Sequence, residues 1–213
     1  MTDLKTIGIF GGTFDPVHIG HLRMALELKA RLGLDEMRLL PARTPPHRES
    51  TAASTEDRAA MVRQAVESCP QLCVDERELG RAGPSYTVET LEELRAEFGP
   101  EVSLSLAVGM DSLTNLHTWH RWWDIFSLAH LVVAARPGWE RPQSGPVATQ
   151  LTARLAPAAA LKQHAAGKII IEHLRLLPVS STEIRRQISV GESPQFLLPD
   201  SVWSYIRQHR LYV

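Results

Sequence analysis

Short apolar runs alternate with helix-length segments along almost the whole chain of 213 residues. The runs end at glycine or at polar turn residues, which is typical of strands. They predict strands at 6–10, 37–42, 72–76, 102–109, 130–136 and 168–174. Strands separated by helix-length segments indicate βαβ units, which form parallel sheets covered on both faces. The alternation therefore predicts an α/β fold: a single doubly wound domain over residues 1–213, with a mostly parallel sheet flanked by helices.

The segments between the strands carry the start and stop signals of helices. Helices are predicted at 18–33, 55–68, 87–99, 181–190 and 199–210. Thr55 is followed by two acidic residues, which predicts a capped start, and Gly33, Gly99 and Gly191 stand where helices are expected to end. The Pro- and Ala-rich stretch 137–167 is less regular, and we expect a loop plus a helix there.

Charge and composition exclude several classes of protein. The net charge of −1 provides no basic field, so neither a nucleic acid nor an anionic membrane is expected as a partner. No apolar run approaches the ~20 residues of a membrane span, and no signal peptide is recognisable. Cys69 and Cys73 alone form neither a disulfide framework nor a complete zinc site. These features predict a cytoplasmic protein, and they are compatible with a homo-oligomer without indicating one.

The stretch GGTFDPVHIGH (11–21) joins the first predicted strand to the first predicted helix. In a Rossmann-like sheet, ligands bind at the carboxyl ends of the strands, and N–H groups at the next helix start favour an anion. His18 and His21 are three residues apart, so both side chains point the same way from the first turn. Three interpretations stay open: a metal pair, helix-start residues that only pack or cap, and N–H donors to a phosphate.

Other features of this stretch favour the phosphate. No partner pair of Cys or His at metal spacing stands out elsewhere, and the glycines let the backbone approach a ligand closely. Thr13 offers a hydroxyl donor, and Asp15 and Pro16 are expected to shape the connection. The two histidines would then neutralise charge while a phosphoryl or nucleotidyl group is transferred. The common loops G-x-G-x-x-G and G-x-x-x-x-G-K-[ST] are absent, so this is neither of them.

A second constellation, PVSSTEIRRQI (178–188), lies near the other end of the chain. Ser180, Ser181 and Thr182 stand at a predicted helix start, with Arg185 one turn later. Serine or threonine there is often only an N-cap, but hydroxyls, free N–H groups and an arginine at one helix start also bind phosphate. Two such helix starts in one chain suit a long polyphosphate such as ATP.

Together, GGTFDPVHIGH and SSTEIR resemble the two signatures of the H-x-G-H nucleotidyltransferase superfamily. Three internal segments, PARTPPHR (41–48), PSYTVETL (84–91) and VGMDSLTNLHTWHRW (108–122), are similar to the bacterial nicotinate-mononucleotide adenylyltransferases. The resemblance implies that ATP and nicotinate mononucleotide give nicotinate adenine dinucleotide and pyrophosphate, with Mg²⁺ held largely by the substrate phosphates. The mononucleotide phosphate attacks the α-phosphorus of ATP directly, with no covalent enzyme intermediate. The same chemistry on nicotinamide mononucleotide or phosphopantetheine, and a non-catalytic nucleotide-binding module, remain alternatives.

The same resemblance implies roles for individual residues at the ATP end of the site. His18, His21 and Arg185 are the expected catalytic residues, because the histidines contact ATP phosphates and the arginine binds the β- and γ-phosphates. Thr13 is expected to hold the phosphates between the two substrates. The other residues expected to contact ATP are Gly11, His47, Arg48, Gly109, Asp111, Arg136, Ser181 and Thr182. The ligands of the metal are not apparent from the sequence.

The pyridine end can also be argued from the residues. A pyridine ring favours an aromatic stacking partner, which Trp119 provides, whereas Trp122 and Trp123 are expected to pack. Thr87 is the predicted N-cap of the third helix, and the N–H groups around Tyr86 and Thr87 could receive the nicotinate carboxylate. A neutral carboxamide would gain less there, which favours the acid over the amide.

Overall fold

The computed structural model describes residues 3–43, 51–136 and 138–213. Its strands are β1 (Thr6–Gly12), β2 (Glu36–Pro41), β3 (Cys73–Val74), β4 (Ser103–Gly109), β5 (His130–Ala135) and β6 (Ile169–His173). They form one six-stranded sheet in the order β3-β2-β1-β4-β5-β6, and every neighbouring pair is parallel. The prediction of a doubly wound α/β fold is confirmed, although β3 is shorter than the predicted 72–76.

Eight α-helices occur in the described residues: α1 (Ile19–Leu32), α2 (Thr55–Val66), α3 (Thr87–Phe98), α4 (Met110–Thr114), α5 (Ile125–Leu128), α6 (Gly145–Arg154), α7 (Ser181–Ser189) and α8 (Asp200–Gln208). The stretch after residue 137 holds α6 and a 3₁₀ helix (Ala158–Lys162), as expected. The prediction that Thr55 caps α2 is wrong by one residue. Ser54 has the extended backbone of a cap, and its side chain accepts a hydrogen bond from the Asp57 N–H.

The core consists of two apolar layers, one on each face of the sheet. Successive residues of β5 show the division, because Leu131 and Val133 belong to one layer and Val132 and Ala134 to the other. Helices α1, α2, α7 and α8 cover the face with Val132, and α3, α5 and α6 cover the opposite face. Burial on both faces explains why the strands read as nearly continuous apolar runs in the sequence.

The strand order reverses between β1 and β4. From β1 the chain winds outward through β2 to β3, and it then returns to β4 on the other side of β1. Connections therefore leave β1 and β4 in opposite directions, which opens a crevice at their carboxyl ends. Gly11, Gly12 and Gly109 lie at these ends, so the fold places the H-x-G-H stretch at the crevice.

Two expectations from composition can be compared with the structure. Among the helices in the described ranges, none combines the length and the apolar character that crossing a bilayer requires. Cys69 and Cys73 carry free thiols, in agreement with the prediction that they form no disulfide.

Candidate active site at the carboxyl edge of the sheet

The carboxyl ends of β1 and β4 border a cavity of about 570 Å³, the strand-end cavity. Gly11 and Gly109 line it, and a Cβ added at either glycine would meet no other protein atom within 4 Å. The remaining predicted residues on its wall are Thr13, Tyr86, Thr87 and Trp119. The structure thus brings all the predicted nicotinate-binding residues together with Thr13, which was predicted to lie between the two substrates.

Aromatic side chains form one wall of the strand-end cavity. Trp119 is half-buried and packs against the core layer beneath α3, and the Tyr86 ring lies 4.4 Å from the His120 ring between centroids. The prediction that Trp122 and Trp123 both pack is right only for the first. Trp122 is 8% exposed, whereas Trp123 is 53% exposed and covers only the outer side of Trp122.

The start of α3 faces the strand-end cavity. The prediction that Thr87 caps this helix is wrong: the N-cap residue is Tyr86, which makes no side-chain capping bond, and Thr87 is the first helical residue. The first N–H groups of a helix have no intrahelical acceptor. The Tyr86 N–H donates to the Pro84 carbonyl at 3.2 Å, so the N–H groups left for an anion in this cavity begin with that of Thr87. Such an anion can accept hydrogen bonds from them in place of a capping side chain.

His18 and His21 cap the start of α1 with their own rings. His18 is the N-cap residue, and its Nδ1 accepts the His21 N–H at 3.4 Å, while the His21 Nδ1 accepts the His18 N–H at 3.3 Å. The rings stack with centroids 3.6 Å apart. Since each Nδ1 is an acceptor, a neutral ring carries its proton on Nε2, and that N–H is the donor a ligand can use.

Glycine at position 20 is what lets the His18 ring lie over α1. A Cβ at Gly20 would stand 3.0 Å from both Cε1 and Nδ1 of that ring, closer than ordinary van der Waals contact. The position of the His18 ring therefore requires a residue without a side chain at the glycine of the H-x-G-H signature.

The two histidines are neutral at physiological pH. Burial lowers the pKa of His18 from 6.5 to about 4. Burial and the neighbouring His18 lower the pKa of His21 from 6.5 to about 3. Without a ligand the pair therefore carries no positive charge, and its role in neutralising charge on a bound phosphate stays a prediction. Each ring has its Nε2–H left as a donor.

A cavity of about 320 Å³, the histidine cavity, borders the end of the β1–α1 connection that leads into α1. His18, His21 and Arg136 line it, together with Leu176, Leu177 and Val179. Three hydroxyl-bearing residues of the second constellation complete the wall, namely Ser180, Ser181 and Thr182. The two sequence signatures, about 160 residues apart along the chain, thus meet in one cavity, as expected from their shared preference for phosphate.

Helix α7 is joined directly to the β1–α1 connection. Arg185 Nη1 donates to the Asp15 carbonyl at 2.7 Å, and Ser181 Oγ donates to the Pro16 carbonyl at 2.9 Å. Ser180 is the N-cap residue and accepts the Glu183 N–H, so the capping interpretation holds for Ser180 alone. A guanidinium has five N–H donors, so the bond to Asp15 orients Arg185 while other donors remain for an anion.

Arg185 and Thr182 also line a third cavity of about 510 Å³, the Arg185 cavity. Thr182 belongs to this cavity and to the histidine cavity, so the two are neighbours. Tyr212 lies on the same wall, although nothing in the sequence marked it as a site residue.

Sequence reasoning missed two buried residues that shape the site. Arg58 is fully buried, and its guanidinium donates to the carbonyls of Thr13, Ala42 and Arg43 at 2.6–2.8 Å. Glu78 lines the strand-end cavity, accepts the Thr90 hydroxyl at 2.6 Å, and has a pKa raised by burial. A single arginine in a helix and a single glutamate after a short strand carry no periodic signal, so only the tertiary structure shows their contacts.

Comparison with known proteins agrees with this geometry. Residues 9–187 match the family described as cytidylyltransferase-like. A protein of Cellvibrio japonicus named "Probable nicotinate-nucleotide adenylyltransferase" is 55% identical over 207 residues, which cover 97% of this chain and 98% of the relative. A protein of the same name from Halorhodospira halophila is 48% identical over 200 residues, covering 93% of this chain and 91% of its own. The chain belongs to the nicotinate-nucleotide adenylyltransferase family.

Solved structures share the fold. Two structures of the Plasmodium falciparum nicotinic acid mononucleotide adenylyltransferase, one complexed with APC and one with NaAD, align with TM-scores of 0.71 and 0.73. Each alignment covers 98% of this chain and 97% of the other, at 14% and 15% sequence identity. At such low identity the likeness shows the fold alone, and it confirms the Rossmann-like prediction.

Asp111, which the family resemblance assigned to ATP, is not brought to the strand-end cavity or to the histidine cavity. It is exposed in the first turn of α4. His47 and Arg48 lie outside the described residues. A further cavity of about 650 Å³ lies against β6 beside Trp139, and it contains none of the residues assigned to this nicotinate-nucleotide adenylyltransferase site.

Proposed function

We propose that the chain transfers the adenylyl group of ATP to nicotinate mononucleotide, giving nicotinate adenine dinucleotide and pyrophosphate in NAD biosynthesis. One observation carries the proposal: the β1–α1 connection lines two cavities at once. Thr13, at the start of the connection, faces the strand-end cavity with Gly11 of β1, and His18, at its end, faces the histidine cavity with His21 of α1. A mononucleotide on one side and a triphosphate on the other would meet at this connection.

The pyridine end of the mononucleotide fits the strand-end cavity. Trp119 and Tyr86 offer aromatic surface to the ring, and the start of α3 offers N–H groups to the carboxylate. A carboxylate gains from the helix dipole as well as from hydrogen bonds, whereas a neutral carboxamide gains only from the latter. The site therefore favours the acid over the amide.

The triphosphate end of ATP fits the histidine and Arg185 cavities. Nε2–H groups of His18 and His21, the hydroxyl of Thr182 and the guanidinium of Arg185 provide donors for its oxygens. An oxygen of the mononucleotide phosphate attacks the α-phosphorus, forming one P–O bond as the bond to the β-phosphate oxygen breaks. Pyrophosphate leaves with the electron pair of that bond. These residues act by positioning the phosphates and by stabilising developing charge, without a protein nucleophile.

Magnesium remains a proposal that rests on the nature of the donors. Within residues 3–43, 51–136 and 138–213, no group of three or more His, Cys, Asp or Glu side chains could hold a metal ion. The polar residues lining the histidine cavity are histidines, an arginine, serines and a threonine, with no carboxylate among the described lining residues. Mg²⁺ commonly binds substrate phosphates and water with few protein ligands, so this site fits an ion carried in by the triphosphate. When bound, it would neutralise phosphate charge.

Release of pyrophosphate with purified protein tests the proposal. We expect turnover with ATP and nicotinate mononucleotide in the presence of Mg²⁺, and a kcat/KM at least tenfold lower with nicotinamide mononucleotide. Phosphopantetheine should give no product. Equal turnover with the amide would refute the preference for the acid, and ATP binding without pyrophosphate release from any of the three acceptors would indicate a non-catalytic nucleotide-binding module.

A further inference from the structure

The side chain of Tyr212 is bonded to the β1–α1 connection. Its hydroxyl donates to Asp15 Oδ1 at 2.8 Å. Burial and the Asp15 carboxylate raise the pKa of Tyr212, so the hydroxyl remains a protonated donor. Asp15 itself is 2% exposed, and its carboxylate also accepts the Ala52 and Ala53 N–H groups at 2.8 and 3.1 Å.

Asp15 connects this hydroxyl to Arg185. The Asp15 carbonyl accepts Arg185 Nη1 at 2.7 Å, so Tyr212 and Arg185 hold opposite ends of one residue. Tyr212 and Arg185 also line the Arg185 cavity together with Thr182. The hydroxyl is therefore one residue removed from a predicted phosphate-binding guanidinium.

The backbone around Tyr212 is held in an unfavourable conformation. Tyr212 has φ +68° and Arg210 has φ +52°, both in the left-handed region that non-glycine residues rarely adopt. Tyr212 packs against the core layer beneath α1, and Leu211 N–H bonds the Ile206 carbonyl at 3.0 Å. Strained residues persist only where surrounding contacts hold them, and such residues cluster at functional sites.

We propose that Tyr212 is a positioning residue of the triphosphate site: its hydroxyl fixes Asp15, and Asp15 fixes the orientation of Arg185. The inference rests on the proposed function, since it takes the triphosphate of ATP as the ligand of Arg185. Without the hydroxyl, Asp15 would keep its two bonds to backbone N–H groups but lose its tie to the segment after α8. The Asp15 carbonyl would then hold Arg185 less firmly.

The variant Tyr212→Phe tests the proposal, because it removes one hydroxyl and keeps the ring. Tyr205→Phe is the matched control, because the Tyr205 hydroxyl also donates to a carboxylate, Asp57 Oδ1 at 2.9 Å. Tyr205 and Asp57 line none of the three cavities of the site. For Tyr212→Phe we expect the KM for ATP to rise about five- to tenfold, because a less firmly oriented Arg185 loses part of a hydrogen bond between charged groups. The KM for nicotinate mononucleotide should stay within about twofold, and Tyr205→Phe should leave both constants unchanged.

Binding of inorganic triphosphate, measured by calorimetry, provides a second readout that needs no turnover. We expect Tyr212→Phe to raise the Kd for triphosphate about five- to tenfold over that of the wild type. In a protein that already carries Arg185→Gln, adding Tyr212→Phe should leave the Kd unchanged. Unchanged triphosphate and ATP constants in Tyr212→Phe, with the same loss of thermal stability as Tyr205→Phe, would overturn the proposal. If the wild-type protein binds triphosphate but gives no product with any acceptor, the proposed function is wrong. The triphosphate Kd values of the variants would still show whether Tyr212 positions Arg185.

Discussion

At the scale of residues, a neutral imidazole pair stabilises phosphate differently from a charged one. In the unliganded protein His18 and His21 use Nδ1 to cap α1 and keep Nε2–H free as a directed donor, and no desolvation penalty of a buried positive charge arises. The motif alone predicted two donors at a helix start. It could not predict their protonation, because the pKa depends on burial and, for His21, on the neighbouring His18, which only the folded chain determines.

Replacement of His18 separates capping from catalysis. Asparagine can accept the His21 N–H as an N-cap but lacks the ring Nε2–H, so His18→Asn should keep stability and lower kcat about a hundredfold. His18→Ala should lose the same activity and also about 1 kcal/mol of stability, because the cap is lost. Pyrophosphate kinetics and urea unfolding of both variants provide the comparison. Wild-type kcat in a folded His18→Asn protein would contradict the phosphate-binding interpretation.

The lowered pKa values also predict how stability depends on pH. In the unfolded chain each histidine titrates near 6.5, but in the folded protein His18 and His21 stay neutral until about 4 and about 3. As the pH falls below 6.5, the unfolded state binds more protons than the folded state. The free energy of unfolding therefore decreases, by about 2 kcal/mol per histidine between pH 7 and 5.

Urea unfolding of wild type and of His18→Asn at pH 7, 6 and 5 measures this loss. The variant should lose about 2 kcal/mol less than the wild type over this range. Burial also lowers the pKa of His130, so this residue adds to the loss of stability at low pH. Its contribution is the same in both proteins and cancels when they are compared. An identical pH dependence in the two proteins would show that His18 is not held neutral.

At the scale of elements, the ends of β1 and β2 are held to α2 by one side chain. Arg58 bonds the carbonyls of Thr13, Ala42 and Arg43 from a fully buried position on α2. The existence of these elements was predictable from apolar periodicity and from capping residues. Their mutual anchoring was not, because a buried arginine looks the same in the sequence as a solvated one.

Arg58→Lys tests this anchoring. A single ammonium cannot reproduce a planar fork that spans carbonyls of two connections, so the variant should lose about 3 kcal/mol of stability and reduce kcat about tenfold. Arg63→Lys on the same helix is the control, since Arg63 pairs with Glu76 at the surface and its exchange should cost less than about 0.5 kcal/mol. Equal losses in the two variants, measured by urea unfolding, would contradict the assignment.

Gly20→Ala tests the packing of the His18 ring on α1. Gly20 is the second residue of α1, and alanine is normally at least as favourable as glycine within a helix. Here the new Cβ would stand 3.0 Å from the ring, so the ring must shift away from its capping position. We expect no gain in thermal stability and a lower kcat with a nearly unchanged KM for nicotinate mononucleotide. A more stable and fully active variant would show that the ring position has no part in catalysis.

At the scale of the whole molecule, strand order decides where chemistry can occur. Alternation in the sequence predicted strands, helices and a doubly wound sheet, but it did not determine that β1 and β4 are neighbours. That pairing depends on how the two core layers pack, and it places residues 11–13 beside Gly109 and the start of α3. One connection thereby borders both the cavity proposed for the pyridine and the cavity proposed for the triphosphate, so we expect that binding of the two substrates can be perturbed independently.

Trp119→Ala tests this separation. Because Trp119 lines the strand-end cavity and not the histidine cavity, its loss should raise the KM for nicotinate mononucleotide about tenfold, the effect of losing aromatic stacking and its buried area. The KM for ATP should change less than about twofold, since additive behaviour is expected for separate sites. Trp123→Ala is the matched control, because Trp123 is 53% exposed and lines neither cavity, so both constants should stay at wild-type values. A selective loss of ATP affinity in Trp119→Ala would mean that the two cavities have been assigned in reverse, with adenine rather than pyridine at the carboxyl ends of β1 and β4.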